Sequence, residues 1–276
     1  MLHHFIVTRF NINEKTWKQN KNDKPAGDLV WLEKRIHLFL KFCLPSVVQQ
    51  SCKKFSWLIF FEEGTQNELK KVLEVLNSYT FISVIFVNGM NGFNEGLLKH
   101  IKKATSKETS KIITTRLDND DAIHRDFIKN IQNTCVDDVD KILLDFPMGL
   151  CLDISGDAKL SNFRFPKNQF ISLLENMKDG ELPKFVFSKF HHELDEVYPI
   201  KNLLQKDQWL QVVHEDNLVN TFKGQLTFKN ALNGYPDYGI HFAKSYNFVV
   251  FVKNIKPKWN KLPGYYLFKK LFKKFI

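Results

Sequence analysis

The feature that most constrains the fold is a regular alternation of strand-like and helix-like patterns in the first half of the chain. Apolar and β-branched runs of strand length occupy residues 3–8, 55–61, 81–87 and 112–117. Apolar residues at helical spacing fill the intervals between these runs. This order predicts an α/β fold with a mainly parallel sheet flanked by helices. The 276 residues, 43% of them hydrophobic, are enough for one large α/β domain or two small ones.

The pattern changes after residue 140. Short strands are expected at 141–146 and 149–154, a helix at 168–177, an extended segment at 185–190, and a strand at 208–213 that ends at His214. This is an α+β arrangement, which by analogy contributes the acceptor side of a site. We therefore divide the chain into an α/β half (1–140), an acceptor-side half of the same domain (141–252) and a basic tail (253–276).

Residues 111–131 contain the most informative chemistry. A strand-like run is followed by Asp118, Asp120 and Asp121 within four residues. If the chain is still extended there, Asp118 and Asp120 point to the same face, and a divalent cation is the usual way to keep both ionised. Their hard oxygen ligands suit Mn²⁺ or Mg²⁺. A helix is expected from about Asp121, which is then an N-cap, a group facing the cation, or both.

A simpler interpretation of the acidic stretch is a polar turn closed by an N-cap, because Asp and Asn are common in turns. Its position between an apolar strand and a helix favours a functional site, since open α/β sheets bind ligands at the carboxyl ends of their strands. Both interpretations stay open at this point.

Several other classes of site have no support. The chain has neither GxGxxG after its first strand nor GxxxxGK[ST] nor GxSxG. The run 191–193 (HHE) is not a zinc-protease HExxH, because Glu196 stands where the second His belongs. The four cysteines show no metal-ligand spacing, which suits a reducing cytoplasm. We expect neither a signal peptide nor a membrane-spanning helix.

The positive charge is concentrated in the tail. Eight lysines and no acidic residue lie in 253–276, so the net charge of +10 leaves only +2 for the rest, and we expect no nucleic-acid binding. Wound as a helix, residues 265–276 carry an apolar stripe opposite the lysines: Phe268, Leu271, Phe272 and Phe275. Such a basic amphipathic helix either attaches peripherally to an anionic membrane, here the inner face, or packs its stripe on the domain.

Several segments resemble GT-A glycosyltransferases, and more narrowly a bacterial family of rhamnosyltransferases. They are HFIVTRFN (4–11), WLEKRIHLFLKFCLPSVVQQ (31–50), FSWLIFFEEGT (55–65), TRLDNDDAIHRDFI (115–128) and WLQVVHEDN (209–217). The resemblance implies a GT-A-like fold whose first half binds a nucleotide-diphosphate sugar. It also implies transfer of the sugar, with rhamnose as a candidate, to a hydroxyl of a saccharide or of a lipid-linked glycan.

The resemblance also implies roles for individual residues. Asp120, with Asp118 and His214, would hold the metal that bridges the two phosphates. His214 departs from the family pattern in its neighbour, where Glu215 replaces a glycine. The expected nucleotide-sugar site consists of Thr8, Arg9, Phe10, Glu62, Arg116, Asp118 and Asp121.

An inverting enzyme would need a general base for the acceptor hydroxyl, whereas a retaining enzyme would not. Asp207, just before the strand that ends at His214, is the first choice for this catalytic base. Glu193, Glu215 and Asp216 are the alternatives. Two other functions remain open: a metal-dependent phosphoesterase that uses the same acids, and a membrane-surface binding protein with a degenerate site.

Overall fold

The strand-helix alternation of the first half forms a mainly parallel sheet in the computed structural model, which describes residues 1–13, 29–106, 108–134, 139–178, 182–217 and 220–259. Four parallel neighbours build this part of the sheet: β1 (Leu2–Arg9), β2 (Ser56–Glu62), β3 (Ile82–Val87) and β4 (Lys111–Arg116). β1 lies between β4 and β2, so these two strands flank the end of β1. The predicted parallel sheet is confirmed.

Strands of the second half extend the same sheet and form another one. β6 (Lys141–Asp145), β9 (Ser172–Asn176) and β10 (Ile200–Asn202) complete the seven strands in the order β10-β6-β9-β4-β1-β2-β3. β9 runs antiparallel to both β4 and β6. The other sheet has the order β12-β8-β7-β11-β5 and contains β5 (Ala122–Ile123), β7 (Met148–Asp153), β8 (Lys159–Arg164), β11 (Trp209–Val213) and β12 (Gln225–Leu226).

Helices cover both faces of the larger sheet. The described helices are α1 (Leu29–Leu38), α2 (Leu44–Val48), α3 (Lys70–Leu76), α4 (Gly89–Ala104), α5 (Phe127–Gln132) and α6 (Tyr246–Trp259), and a π-helical turn, Phe39–Cys43, joins α1 to α2. α4 packs on one face through Phe93 and Leu97, and α1 and α3 pack on the opposite face through Leu32 and Val72. α6 covers the smaller sheet, where the hydroxyl of Tyr246 bonds to the backbone of β8.

Three local predictions are wrong. Residues 168–177 hold strand β9 instead of a helix. The leucines of β9 are buried between β4 and β6, and both the helical and the strand periodicity allow these positions to be apolar. Residues 185–190 form turns rather than an extended segment, and Phe185 has a φ of 62°. The helix expected from Asp121 begins at Phe127, because residues 122–123 pair with β11 as β5.

The basic tail is only partly described. Its first residues continue α6 to Trp259, and the predicted amphipathic helix at 265–276 lies outside the described residues. Within the described part of the chain, no helix has the length and apolar character needed to cross a membrane.

Candidate functional site

The acidic loop connects the two sheets at the carboxyl end of β4. Strand β4 ends at Arg116, and a turn follows at residues 119–120, so the loop is not extended as the sequence suggested. Asn119 holds the turn in place: its Nδ2 donates to the carbonyl of Phe10 at 2.7 Å, and its Oδ1 accepts from Arg35 at 3.2 Å. The loop is thereby fixed to the end of β1 and to α1.

Asp120 is the centre of a buried charged cluster. One of its oxygens, Oδ2, forms an ion pair with Arg35 and lies 3.1 Å from His214 Nε2 and 3.4 Å from Asn217 Nδ2. Burial alone would raise the pKa of Asp120, but Arg35 and His214 lower it to about 2. Asp120 therefore stays ionised, and we call Asp120, Arg35, His214 and Asn217 the Asp120 cluster.

Asp121 joins the loop to the smaller sheet. Its Oδ1 accepts the backbone N–H of Val212 at 2.9 Å, and its Oδ2 accepts from Gln169 at 3.1 Å. Burial, Asp120 and Asp118 raise its pKa well above the ordinary value. The side chain caps no helix, because the helix after it begins at Phe127. In this structure Asp121 serves to tie β11 to the acidic loop.

A second group of polar side chains lies at the ends of β1 and β4. The guanidinium carbons of Arg9 and Arg116 lie 5.2 Å and 4.8 Å from the ring centroid of Phe187. Burial lowers the pKa of Arg116 to about 10, and the nearby Asp118 carboxylate opposes this effect. Asp118 itself is partly buried. Two of the residues expected to contact the donor, Arg9 and Arg116, are thus brought together.

The expected metal set is not assembled. Among the described residues, no group of three or more His, Cys, Asp or Glu side chains is placed to hold a metal ion. Asp120 Oδ2 is occupied by Arg35, and His214 Nδ1 accepts the backbone N–H of Asp216 at 3.2 Å. His214 Nε2, the atom that would have to bind the metal, lies 3.1 Å from both Asp120 Oδ2 and Asn217 Nδ2, and Nδ1 accepts a hydrogen bond, whereas a metal-bound His usually donates from its other nitrogen. As arranged, these residues do not fit a resident divalent cation.

Three residues expected to contact the nucleotide have structural partners instead. Thr8 is fully buried, and its hydroxyl accepts from Trp57 Nε1 at 3.0 Å. Phe10 is buried between the rings of Phe39 and Phe61. The carboxylate of Glu62 accepts backbone N–H groups of Asn13 and Gly89. The side chains of Thr8 and Phe10 are thus used in core packing, and a contact of either with a nucleotide stays a prediction of the resemblance.

Asp207 is not brought to the Asp120 cluster. It precedes β11, whereas His214 follows that strand, and five strand residues separate the two ends by roughly 15 Å. Asp207 contacts residues near the start of β11: the hydroxyl of Tyr235 donates to the Asp207 carbonyl at 2.8 Å. Burial raises the pKa of the Asp207 carboxyl group. Asp207 therefore has no geometric support as a catalytic base for chemistry at the acidic loop.

A cavity of about 450 Å³ opens beside His214. This volume lies within the range of small-molecule sites, about 300–1,000 Å³. Lys34 and Asp216 form an ion pair across it at 2.8 Å. The cavity is lined by α1 and by the loops that follow β7 and β11: Glu33, Lys34, His37, Leu38, Ile154, Ser155, His214, Glu215 and Asp216. Two of the alternative bases, Glu215 and Asp216, are therefore next to the cluster.

Several residues of this region were missed or undervalued at the sequence level. Arg35 had a detectable signal in the sequence, because it lies at helical spacing from the apolar residues Leu32 and Leu38 of α1. In the structure its side chain is buried with them and is 7% exposed. Asn217 and Phe187 carried no such signal, since their positions depend on loops that follow β11 and β9.

Comparisons with known proteins agree with part of these expectations. Residues 6–226 match the protein family described as "Putative rhamnosyl transferase". No curated protein matches the chain.

Two solved structures are similar to the chain at low sequence identity. The inositol-1-phosphate CTP transferase from T. maritima is 12% identical, with a TM-score of 0.32, and the match covers 78% of this chain and 89% of that one. HddC from Yersinia pseudotuberculosis is 15% identical, with a TM-score of 0.37, and the match covers 76% of this chain and 93% of that one. Superpositions at this level carry no argument about activity.

Proposed function

The chain belongs to the putative rhamnosyl transferase family, and on this premise we propose that it is a glycosyltransferase. It moves a sugar, with rhamnose the first candidate, from a nucleotide-diphosphate sugar to a hydroxyl of a saccharide or glycolipid. The family supports the class of donor and acceptor, and the side chains at the strand ends support the finer assignments below.

The observation that carries the proposal is the Asp120 cluster. Asp120, Arg35 and His214 meet at the carboxyl edge of the parallel strands, beside the cavity. A buried ion pair contributes little net stability, because desolvation offsets most of the attraction. Open α/β sheets bind their ligands at this edge. A charged cluster at this position is therefore better explained by a ligand than by the core.

The transfer breaks the bond between the anomeric carbon of the sugar and a phosphate oxygen. The electron pair of that bond leaves with the nucleoside diphosphate, and the acceptor oxygen forms the new bond to the anomeric carbon. Positive groups beside the departing phosphate lower the barrier, since negative charge develops there. The proton of the acceptor hydroxyl passes to a base.

We assign the acceptor to the cavity beside His214. The cavity is large enough for a sugar unit, and its carboxylates Glu215 and Asp216 are suitably placed to receive the proton if the anomeric centre inverts. Asp216 forms an ion pair with Lys34 at 2.8 Å. These two residues replace Asp207 as the candidates that the geometry favours.

The proposal is tested by donor binding. UDP-, dTDP- and GDP-sugars are screened by thermal shift, in EDTA and then with Mn²⁺ or Mg²⁺, since dependence on these ions remains a prediction of the acidic pattern. One nucleotide class is expected to raise the melting temperature of the wild-type protein. If the shift depends on Mn²⁺ or Mg²⁺, Asp120→Asn should lose it, while Asp140→Asn, a control at an exposed carboxylate, should retain it.

The same thermal-shift screen can contradict the proposal. If no nucleotide sugar stabilises the wild-type protein under any of these conditions, the chain has no donor site of this kind. Release of free phosphate from simple esters would indicate a phosphoesterase instead.

A further inference from the structure

Arg116 is a buried cation with at least one hydrogen-bond donor, Nε, that has no partner among the described residues. Its side chain is 6% exposed, and its Nε is buried without a hydrogen-bond partner among the described residues. An unpaired buried charge is costly unless something compensates it. Asp118 acts on Arg116 electrostatically, but no hydrogen bond between the two is found in the described part of the chain.

A second guanidinium group lies beside the first. In the parallel pair β1–β4, Val7 is opposite Arg116, so Arg9, two residues after Val7, points to the same face of the sheet. Both guanidinium groups lie over one ring, that of Phe187, at 5.2 Å and 4.8 Å from its centroid. Burial lowers the pKa of Arg116, and the nearby charge of Arg9 lowers it further.

Arg116 lies at the buried end of a group of partly exposed side chains. Arg9, Phe187, Asp118 and His191 are all partly exposed, whereas Arg116 forms the buried floor. The planar guanidinium fork matches the oxygens of a phosphate group and binds them in a bidentate manner. Two such forks on a shared aromatic ring suit two linked phosphates better than a single carboxylate.

We propose that Arg9 and Arg116, stacked on Phe187, bind the diphosphate of the nucleotide-sugar donor and supply the positive charge that the acidic pattern assigned to a metal ion. This inference rests on the proposed function. It also accounts for the poor fit of Asp118, Asp120 and His214 to a resident cation, because the ionised Asp120 is already neutralised by Arg35.

The test is calorimetric titration with inorganic pyrophosphate, with a nucleoside diphosphate and with the corresponding nucleotide sugar. Each titration is done in EDTA and again with Mg²⁺. The variants are Arg9→Gln, Arg116→Gln and Arg116→Lys. Arg125→Gln is the matched control, because Arg125 is an exposed arginine that follows β5 of the smaller sheet.

We expect the wild-type protein to bind all three probes in EDTA. Arg9→Gln and Arg116→Gln should each weaken binding by roughly tenfold or more, as the loss of a charge-assisted hydrogen bond does. Arg116→Lys should recover only part of this loss, since lysine keeps the charge but not the fork. Arg125→Gln should bind like the wild type. If Arg116→Gln does not fold, the partly exposed Arg9 decides the question.

Binding that requires Mg²⁺ and is unchanged in Arg9→Gln would overturn the inference. The failures of the two proposals are distinguishable. Metal-dependent sugar transfer that is insensitive to both arginines would remove the anion site and keep the glycosyltransferase. Pyrophosphate binding that depends on both arginines, in a protein that transfers no sugar, would keep the anion site and remove the proposed activity.

Discussion

At the residue scale, three neighbouring aspartates have three different environments. Asp118 is partly exposed beside Arg116, Asp120 is buried against Arg35, and Asp121 is buried against neutral hydrogen-bond donors. The pKa of Asp120 is therefore lowered and that of Asp121 raised, although the residues are identical and adjacent. The cation Arg35 decides this difference, since burial by itself raises both pKa values.

A buried histidine gives a test of the electrostatics that does not depend on the ligand. His4 Nε2 forms a hydrogen bond with the hydroxyl of Thr115 at 2.7 Å, and burial lowers the pKa of His4 to about 3. The unfolded chain takes up this proton near the ordinary pKa of 6.5, whereas the folded protein does not. The contribution of the neutral His4 to the unfolding free energy is therefore complete above pH 6.5, and it is lost as the pH falls toward 3.

Between pH 7 and pH 5 the wild-type protein should lose about 2 kcal/mol of unfolding free energy because of His4. We predict that His4→Gln does not show this part of the loss. Urea unfolding at the two pH values measures this difference. His3→Gln is the control, because His3 is the partly exposed neighbour on the opposite face of β1. An equal pH dependence in wild type and His4→Gln would contradict a buried, neutral His4.

The sequence predicts part of this site, for physical reasons. Asp120 and His214 are close together, as the family resemblance implied. Asp207 lies a strand's length from His214, as the predicted strand at 208–213 already implied, and that separation argues against a shared role at the acidic loop. The core partners of Thr8 and Phe10 could not be predicted, because the position of a residue at a strand end does not tell which side chains pack against it.

At the element scale, β9 and β11 determine how the halves fit together. β9, from the second half, lies between β4 and β6 of the larger sheet, and β11 receives the Asp121 hydrogen bond in the smaller one. The sequence predicted β11 but not β9. Apolar residues at 170, 173, 174 and 177 match helical spacing, so only the neighbouring strands settle the choice.

The contact between β7 and β11 is a point where packing leaves no spare room. Gly149 faces the indole of Trp209, which is fully buried, and a Cβ at Gly149 would overlap that ring. Gly149→Ala is predicted to lower the unfolding free energy by about 1–3 kcal/mol, since the ring must shift. Urea denaturation measures the change. Gly156→Ala is the control, because its Cβ would meet nothing within 4 Å, and an equal effect of both would refute this packing.

At the scale of the whole molecule, the two sheets place two charged groups on either side of one loop. The arginine pair lies at the ends of β1 and β4, and the Asp120 cluster lies toward the cavity. In the proposed reaction these are the donor side and the acceptor side. Attachment of the lysine-rich tail to an anionic membrane stays a prediction of the sequence, which a lipid-linked acceptor would make useful.

The measurement that tests the account most directly is the identity of the nucleotide product. The wild-type protein is incubated with the nucleotide sugar that stabilises it most and with a set of saccharide acceptors, and all products are quantified by mass spectrometry. The account predicts one nucleoside diphosphate released for each sugar attached to an acceptor. Release of a nucleoside monophosphate or of pyrophosphate, with no sugar transferred to any acceptor, would contradict it.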